Sequence, residues 1–115
     1  MRQEWLIRAL IGLGLKRTDA LVYFFLAKAG PQKAKAITSR LGMYKQQVYR
    51  SLKRLQSKGY VKATIEHPAL FSAVPLKKIL DTLINSRIAE AENVQHNKQE
   101  FLSIWQSMIP EDATK

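Results

Sequence analysis

Cysteine is absent from the 115-residue sequence, and histidine occurs only twice. Disulfide bridges and thiolate metal sites are therefore excluded, and His67, in a turn, has no neighbouring residues that would complete a metal site. The sequence also lacks a glycine-rich phosphate loop and a pair of carboxylates placed to flank a cleft. We therefore expect no metal, no cofactor and no enzymatic activity.

Long apolar runs are missing as well. The first fifteen residues are interrupted by Arg8 and two glycines, and they are too few to span a membrane. They contain no small-residue cleavage site of the kind that ends a signal peptide. With 46% hydrophobic residues, the chain is long enough for one domain with its own core. We expect a cytoplasmic protein that does not bind a membrane.

Acidic residues are missing from the whole segment between Asp19 and Glu66. Ten basic residues lie between Lys28 and Lys62, whereas the rest of the chain has nine basic and nine acidic residues. The formal net charge of +10 therefore belongs to this window, called the basic window below. A solvated surface usually mixes both signs of charge. A folded segment with one sign is better explained by phosphate binding, which predicts double-stranded DNA as the partner.

The basic window also has the pattern of a helix-turn-helix. Apolar residues at helical spacing predict a first helix over Ala34–Leu41 and a second over about Tyr44–Lys58. Gly42 lies in the turn between them, where glycine takes a positive φ without cost, and Gly59 ends the second helix. In this motif the second helix enters the major groove of DNA.

The outer face of the second helix is predicted to contact DNA, because Val48, Leu52 and Leu55 define the face that points inward. Glutamine pairs with adenine and arginine with guanine through two hydrogen bonds each. We assign base recognition to Gln46, Gln47 and Arg50. We assign phosphate binding to basic and hydroxyl-bearing residues on or near this helix, namely Lys33, Lys35, Tyr44, Lys45, Tyr49, Lys53, Arg54 and Ser57. Packing on the neighbouring helix is an equally good assignment for Tyr49.

After the second helix the period of the sequence changes. Residues 60–65 and 70–74 are rich in β-branched and aromatic residues, and Pro68 lies between them, which predicts a β-hairpin. A hairpin directly after the recognition helix makes the domain a winged helix. Its tip has Glu66 and His67 but no lysine or arginine, so we expect the wing to contribute little to DNA affinity.

The segment from Pro75 to Pro110 has no internal proline or glycine and predicts one long helix. Apolar residues recur there at spacings of four and three, the pattern of a coiled coil, with Arg87 and Lys98 as charged interruptions. This stripe is longer than the small domain can cover, so we expect a homodimer. The predicted dimerisation residues, called the seam below, are Leu80, Ile84, Ile88, Ala91, Val94, Phe101, Leu102, Trp105 and Met108.

The predicted fold is therefore mainly α with a small β-hairpin. It consists of a winged helix-turn-helix domain over residues 1–74, a long amphipathic helix over residues 75–110 and a disordered tail over residues 111–115.

Three stretches resemble the DNA-binding domain of the TrmB family of archaeal winged-helix regulators: LGLKRTDALVYFFLAKAG, AITSRLGMYKQQVYRSLKRLQSKGYV and HPALFSAVPLKKIL. The likeness covers about residues 13–83 and implies a role in transcriptional regulation. The chain differs from the family pattern at residues 16–18, Lys-Arg-Thr, where a threonine and an acidic residue usually begin the helix. Larger family members continue into a sugar-binding effector domain near the point where this chain ends, so no small-molecule effector is evident.

Two functions are compatible with these features. A sequence-specific transcriptional regulator would bind a pseudo-palindromic site as a homodimer, whereas an architectural chromosomal protein would bind DNA with little sequence preference. The candidate base-recognition residues favour the regulator. The uncharged wing tip and the missing effector domain leave the architectural function open. A winged helix that docks on another protein is a third function, which the single sign of charge disfavours. Either DNA-binding function would place the protein on the chromosome.

Overall fold

The computed structural model describes residues 2–110, so the predicted disordered tail over residues 111–115 lies outside the described part. Two compact units divide the chain, one ending at Ile79 and the other beginning at Leu80. The helices of the described part are α1 (Arg2–Gly12), α2 (Arg17–Ala29), α3 (Ala34–Leu41), α4 (Lys45–Ser57) and α5 (Leu76–Met108). Its strands are β1 (Gln32–Lys33), β2 (Val61–Ala63) and β3 (Leu70–Ala73). The predicted fold class, a winged helix followed by a long helix, is confirmed.

The core of the first unit forms where α2 packs against α4 and β3. Val48, Leu52 and Leu55 of α4 are all at most 1% exposed, which confirms the inward face predicted for this helix. Val22 and Leu26 of α2 are buried to the same degree. Removing each such side chain from water is worth roughly 1.5–3 kcal/mol, so the pairing of α2 with α4 is the main stabilising contact of the unit.

The turn between α3 and α4 has the glycine that its backbone requires. Gly42 has a φ of 62°, in the left-handed region, and its N–H donates to the carbonyl oxygen of Thr38. A residue with a Cβ would be strained at this φ. The first helix of the motif, α3, therefore ends at a glycine that can be recognised in the sequence.

The sheet has three antiparallel strands in the order β1-β3-β2, whereas the sequence predicted a two-stranded hairpin. Gln32 of β1 lies opposite Phe71 of β3, and Lys62 of β2 lies opposite Ser72. β1 was not predicted, because a two-residue strand has no alternation to detect. β1 leads directly into α3, and it therefore ties the start of the helix-turn-helix to the wing.

The second unit, as far as the structure describes it, is helical and is formed by α5 from Leu80 onward. Within residues 2–110, none of the helices is apolar enough over a sufficient length to cross a membrane.

Candidate nucleic-acid interface

The outer face of α4 is polar and accessible to solvent. Gln46, Arg50, Lys53 and Ser57 are all exposed, at spacings of four, three and four that place them on one side of the helix. The core residues of α4 occupy the opposite side. The structure therefore brings together four of the residues that the sequence assigned to DNA contact.

Nine of the ten cationic side chains in the basic window are exposed, and Arg54 is the exception. Lys33 and Lys35 flank the start of α3, where they line a groove together with Tyr49 of α4 and His67 of the wing turn. One continuous region of the first unit thus combines the start of α3, α4 and the turn of the wing. The wing turn has no lysine or arginine of its own, but it lies beside two lysines that the sequence assigned to phosphate binding.

Arg54 is bound by a buried carboxylate, although its own side chain is partly exposed. Its Nη2 donates to Oδ1 of Asp19 at 2.8 Å, and its Nε donates to Oδ2 at 2.9 Å. The hydroxyl of Ser51 donates to the same Oδ1 at 2.6 Å. Asp19 and Ser51 are fully buried, and the Arg54 side chain is 33% exposed. One carboxylate of α2 therefore accepts hydrogen bonds from two residues of α4.

This network counts against the assignment of Arg54 to phosphate binding, since its guanidinium already binds a buried carboxylate of the protein. Sequence reasoning also missed Asp19 as a partner of α4. A signal was present in Ser51. It lies three residues after Val48 and four before Leu55, on the apolar face, and a polar residue at such a position requires a buried hydrogen-bond partner.

The electrostatics of Asp19 agree with this geometry. Burial by itself raises the pKa of the Asp19 carboxyl. Hydrogen bonds from Arg54 and Ser51, together with the positive charges of Arg54 and Lys58, outweigh burial, so the pKa lies below its ordinary value. Asp19 is therefore ionised in the folded protein at neutral pH and over part of the acidic range.

Gln47 also differs from its predicted role. Its Oε1 accepts a hydrogen bond at 3.0 Å from the backbone N–H of Tyr44, the N-cap residue of α4, and its side chain is only partly exposed. An amide held in this way closes the first turn of the helix. We therefore reassign Gln47 from base recognition to capping, and Gln46 and Arg50 remain as candidates.

Two tyrosines extend the surface at the start of α4. Tyr44 is 78% exposed and Tyr49 is 49% exposed, so most of Tyr44 and half of Tyr49 remain accessible. The ammonium of Lys45 lies 5.8 Å from the centroid of the Tyr49 ring, within the range of a cation–π contact. Tyr49 therefore contacts a neighbouring cation and also lines the groove near the wing.

We expect the Asp19 network to make the protein sensitive to acid. The pKa of the Asp19 carboxyl is lower in the folded state than in the unfolded state. The stabilisation from the ionised carboxylate is therefore complete above the unfolded pKa of about 3.9, and it is lost as the pH falls through the lower, folded pKa. At pH 7, Asp19→Asn should lower the free energy of unfolding by about 1.5–3 kcal/mol, the value of hydrogen bonds to a charged group. Below about pH 4 the difference in free energy of unfolding between Asp19→Asn and the unmodified protein should become smaller.

Urea unfolding across a pH series measures this effect. Glu4→Gln is the matched control, because Glu4 is an exposed carboxylate bound by Arg17 and solvent screens that pair. Equal losses in the two variants at pH 7 would refute a special contribution from Asp19.

The fold and this surface define a winged helix-turn-helix protein with an exposed, basic outer face on α4. A family model described as the sugar-specific transcriptional regulator TrmB matches residues 10–77, more than half of the chain. The chain belongs to the TrmB family, as the resemblance predicted. A family of transcriptional regulators also agrees with the expectation that the chain is not an enzyme.

Individual relatives agree with this assignment. The chain is 29% identical over 101 residues to the HTH-type sugar sensing transcriptional regulator TrmBL1 of Pyrococcus furiosus, a match covering 88% of this chain and 30% of that protein. It is also similar to the structure of TrmBL2, described as an archaeal chromatin protein with a novel mode of DNA binding. There the TM-score is 0.77 at 20% identity, over 97% of this chain and 45% of the other. The chain thus spans less than half of either relative.

A third similarity covers nearly all of a shorter protein. The ST1889 protein of Sulfolobus tokodaii superposes with a TM-score of 0.64 at 23% identity, over 80% of this chain and 99% of that one. The transcriptional regulator Tm0710 of Thermotoga maritima follows with a TM-score of 0.58 at 17% identity, over 93% of this chain and 83% of that one. At these identities the likeness concerns the fold.

Proposed function

We propose that this protein regulates transcription by placing α4 in the major groove of double-stranded DNA. The observation that supports this most directly is the set of nine exposed cations in the basic window, three of them on α4 itself, with no acidic residue between Asp19 and Glu66. A field of one sign on a helix-turn-helix attracts the phosphate backbone and releases its counterions. The protein would therefore be associated with the chromosome.

Within this arrangement Gln46 and Arg50 contact base edges, because both are exposed in the amino-terminal half of α4. The residues proposed to bind phosphate surround them on α4 and at the start of α3. They are Lys33, Lys35, Tyr44, Lys45, Tyr49, Lys53 and Ser57.

The seam of α5 provides the proposed dimer contact. In the single chain Phe101 is 67% exposed, Trp105 is 47% exposed and Met108 is 73% exposed. Burying each of these large side chains is worth roughly 1.5–3 kcal/mol, which offsets the entropy lost on association. The four-and-three spacing matches a second copy of the same helix, because that period keeps both stripes in contact along their length.

A homodimer would present two recognition helices to one DNA molecule. Half-sites about 34 Å apart, one turn of DNA, would then produce a pseudo-palindromic target. Arg87 and Lys98 interrupt the seam, and polar seam residues of this kind fix the register of a coiled coil at some cost in stability.

Architectural binding with little sequence preference is the second candidate. It is favoured by the reassignment of Gln47, which leaves two candidates for base recognition, and by a wing turn without lysine or arginine. TrmBL2, with a similar fold, is described as a chromatin protein. The two functions differ in the ratio of affinity for a preferred site to affinity for random DNA.

A salt series on random duplex DNA tests DNA binding itself. Lys53→Ala should weaken binding on all sequences and reduce the slope of log K against log salt by roughly one, since one phosphate contact is lost. Lys16→Ala is the matched control, because Lys16 is an exposed lysine outside the basic window. The proposed surface would be refuted if Lys53→Ala had the same salt slope as the unmodified protein. It would also be refuted if Lys53→Ala and Lys16→Ala changed the slope equally.

A further inference from the structure

We propose that Asp19 is a positioning residue for DNA recognition, whose carboxylate on α2 sets the rotation of α4 and keeps the guanidinium of Arg54 away from DNA phosphates. The proposal rests on the function proposed above for α4. It assigns a role in recognition to a residue that is fully buried and cannot touch DNA itself.

The first support is the placement of the hydrogen bonds along α4. Ser51 and Arg54 lie three residues apart, nearly one turn, and both donate to the same carboxylate. Two directional contacts at different heights on one face restrict rotation of a helix about its own axis. The apolar contacts of the α4 core restrict it less, because the hydrophobic effect has no direction.

The second support is the position of the DNA-facing residues relative to this attachment. Arg50 directly precedes Ser51, and Lys53 directly precedes Arg54. Each proposed DNA contact is therefore followed at once by a residue that binds Asp19. With side chains extending about 5–6 Å from the helix axis, a rotation of about 20° displaces their ends by about 2 Å. That displacement exceeds the tolerance of a two-bond contact with a base.

The third support is the charge of Arg54. Its guanidinium donates to both carboxylate oxygens of Asp19, and two of the three donor-to-acceptor distances are below 3.0 Å. An arginine held in this geometry is neutralised by its partner and contributes little to counterion release. Loss of the Asp19 charge would return that cation to the solvent beside Lys53 and Lys58, with which it lines a shallow basic depression.

Two measurements on the complete chain test this proposal. On random duplex DNA, Arg54→Met should leave the salt slope unchanged, whereas Asp19→Asn should increase it by roughly one, because the freed guanidinium reaches a phosphate. A loss of stability alone does not change the slope of a protein that is folded at the assay temperature. The opposite pattern, a slope reduced by one in Arg54→Met and unchanged in Asp19→Asn, would overturn the proposal.

Sequence discrimination is the second measurement, made on a site enriched from random DNA by the unmodified protein. Asp19→Asn should reduce the ratio of affinities for that site and for a scrambled duplex by at least about tenfold, since a displaced two-bond contact loses most of its discrimination. Glu90→Gln is the matched control for charge, because Glu90 is an exposed acid on α5. A ratio within about twofold of the unmodified protein would overturn the proposal.

Thermal unfolding is measured first, because Asp19→Asn leaves a cation without its partner and Arg54→Met leaves a buried carboxylate without its partner. Should either variant not fold, Asp19→Asn combined with Arg54→Met removes both partners and leaves no uncompensated charge. The double variant should fold and should still discriminate poorly between the enriched site and a scrambled duplex, and full discrimination by it would overturn the proposal.

If the unmodified protein binds no DNA, the proposed function itself fails. If it binds DNA without sequence preference, the salt slopes decide the proposal about Asp19.

Discussion

Truncation after Leu83 is expected to convert a dimer into a monomer and to weaken binding to a complete pseudo-palindromic site by about 100-fold or more. A dimer gains its second half-site as an intramolecular event, and such linkage raises affinity by roughly 10²–10⁴ without any new contact. The truncated chain keeps the first unit, which ends at Ile79 and has its own core. Its affinity for a single half-site should therefore change little.

Sedimentation at micromolar concentration, with DNA binding measured in parallel, checks this expectation. A substitution in the complete chain gives an independent version of the experiment. Trp105→Gln should weaken the dimer, whereas Ile104→Gln should not, although the two neighbouring side chains are 47% and 50% exposed. Only Trp105 belongs to the seam. A monomeric complete chain, or a truncated chain that dimerises equally well, would contradict the arrangement.

Arg50→Ala is expected to cost about 1–3 kcal/mol on the preferred site, or roughly 5- to 150-fold in affinity. The reason is that a two-bond contact with guanine is lost together with its discrimination against other bases. On random DNA the same variant should lose much less, since only a general electrostatic contribution is removed. The ratio of affinity for the preferred site to affinity for random DNA should therefore fall by nearly the same factor as the affinity for the preferred site.

Lys53→Ala is the comparison for this experiment, because it should weaken binding to both kinds of DNA by similar factors. Affinities measured at several salt concentrations separate the two effects. Equal losses of Arg50→Ala on preferred and random DNA would contradict base recognition by Arg50 and would support the architectural function.

Much of the DNA-binding unit was predictable because its signals are local. The apolar spacing of α4, the glycine at position 42 and the helix over Ala34–Leu41 all follow from residues within a few positions of one another. Net charge is additive along the chain, so the basic window identified the surface without any knowledge of its shape. The family resemblance depends on the same local motifs, and it is confirmed.

Only the tertiary structure decided which of these polar residues are free to contact DNA. The strand β1 exists because Gln32 and Lys33 meet β3, almost forty residues away, and two residues alone have no period to detect. Arg54 and Ser51 are bound by Asp19, more than thirty residues earlier in the chain. Periodicity places a side chain on a face of its helix, but whether a charge on that face meets solvent or a buried partner depends on the neighbouring element. For this protein, that element is α2.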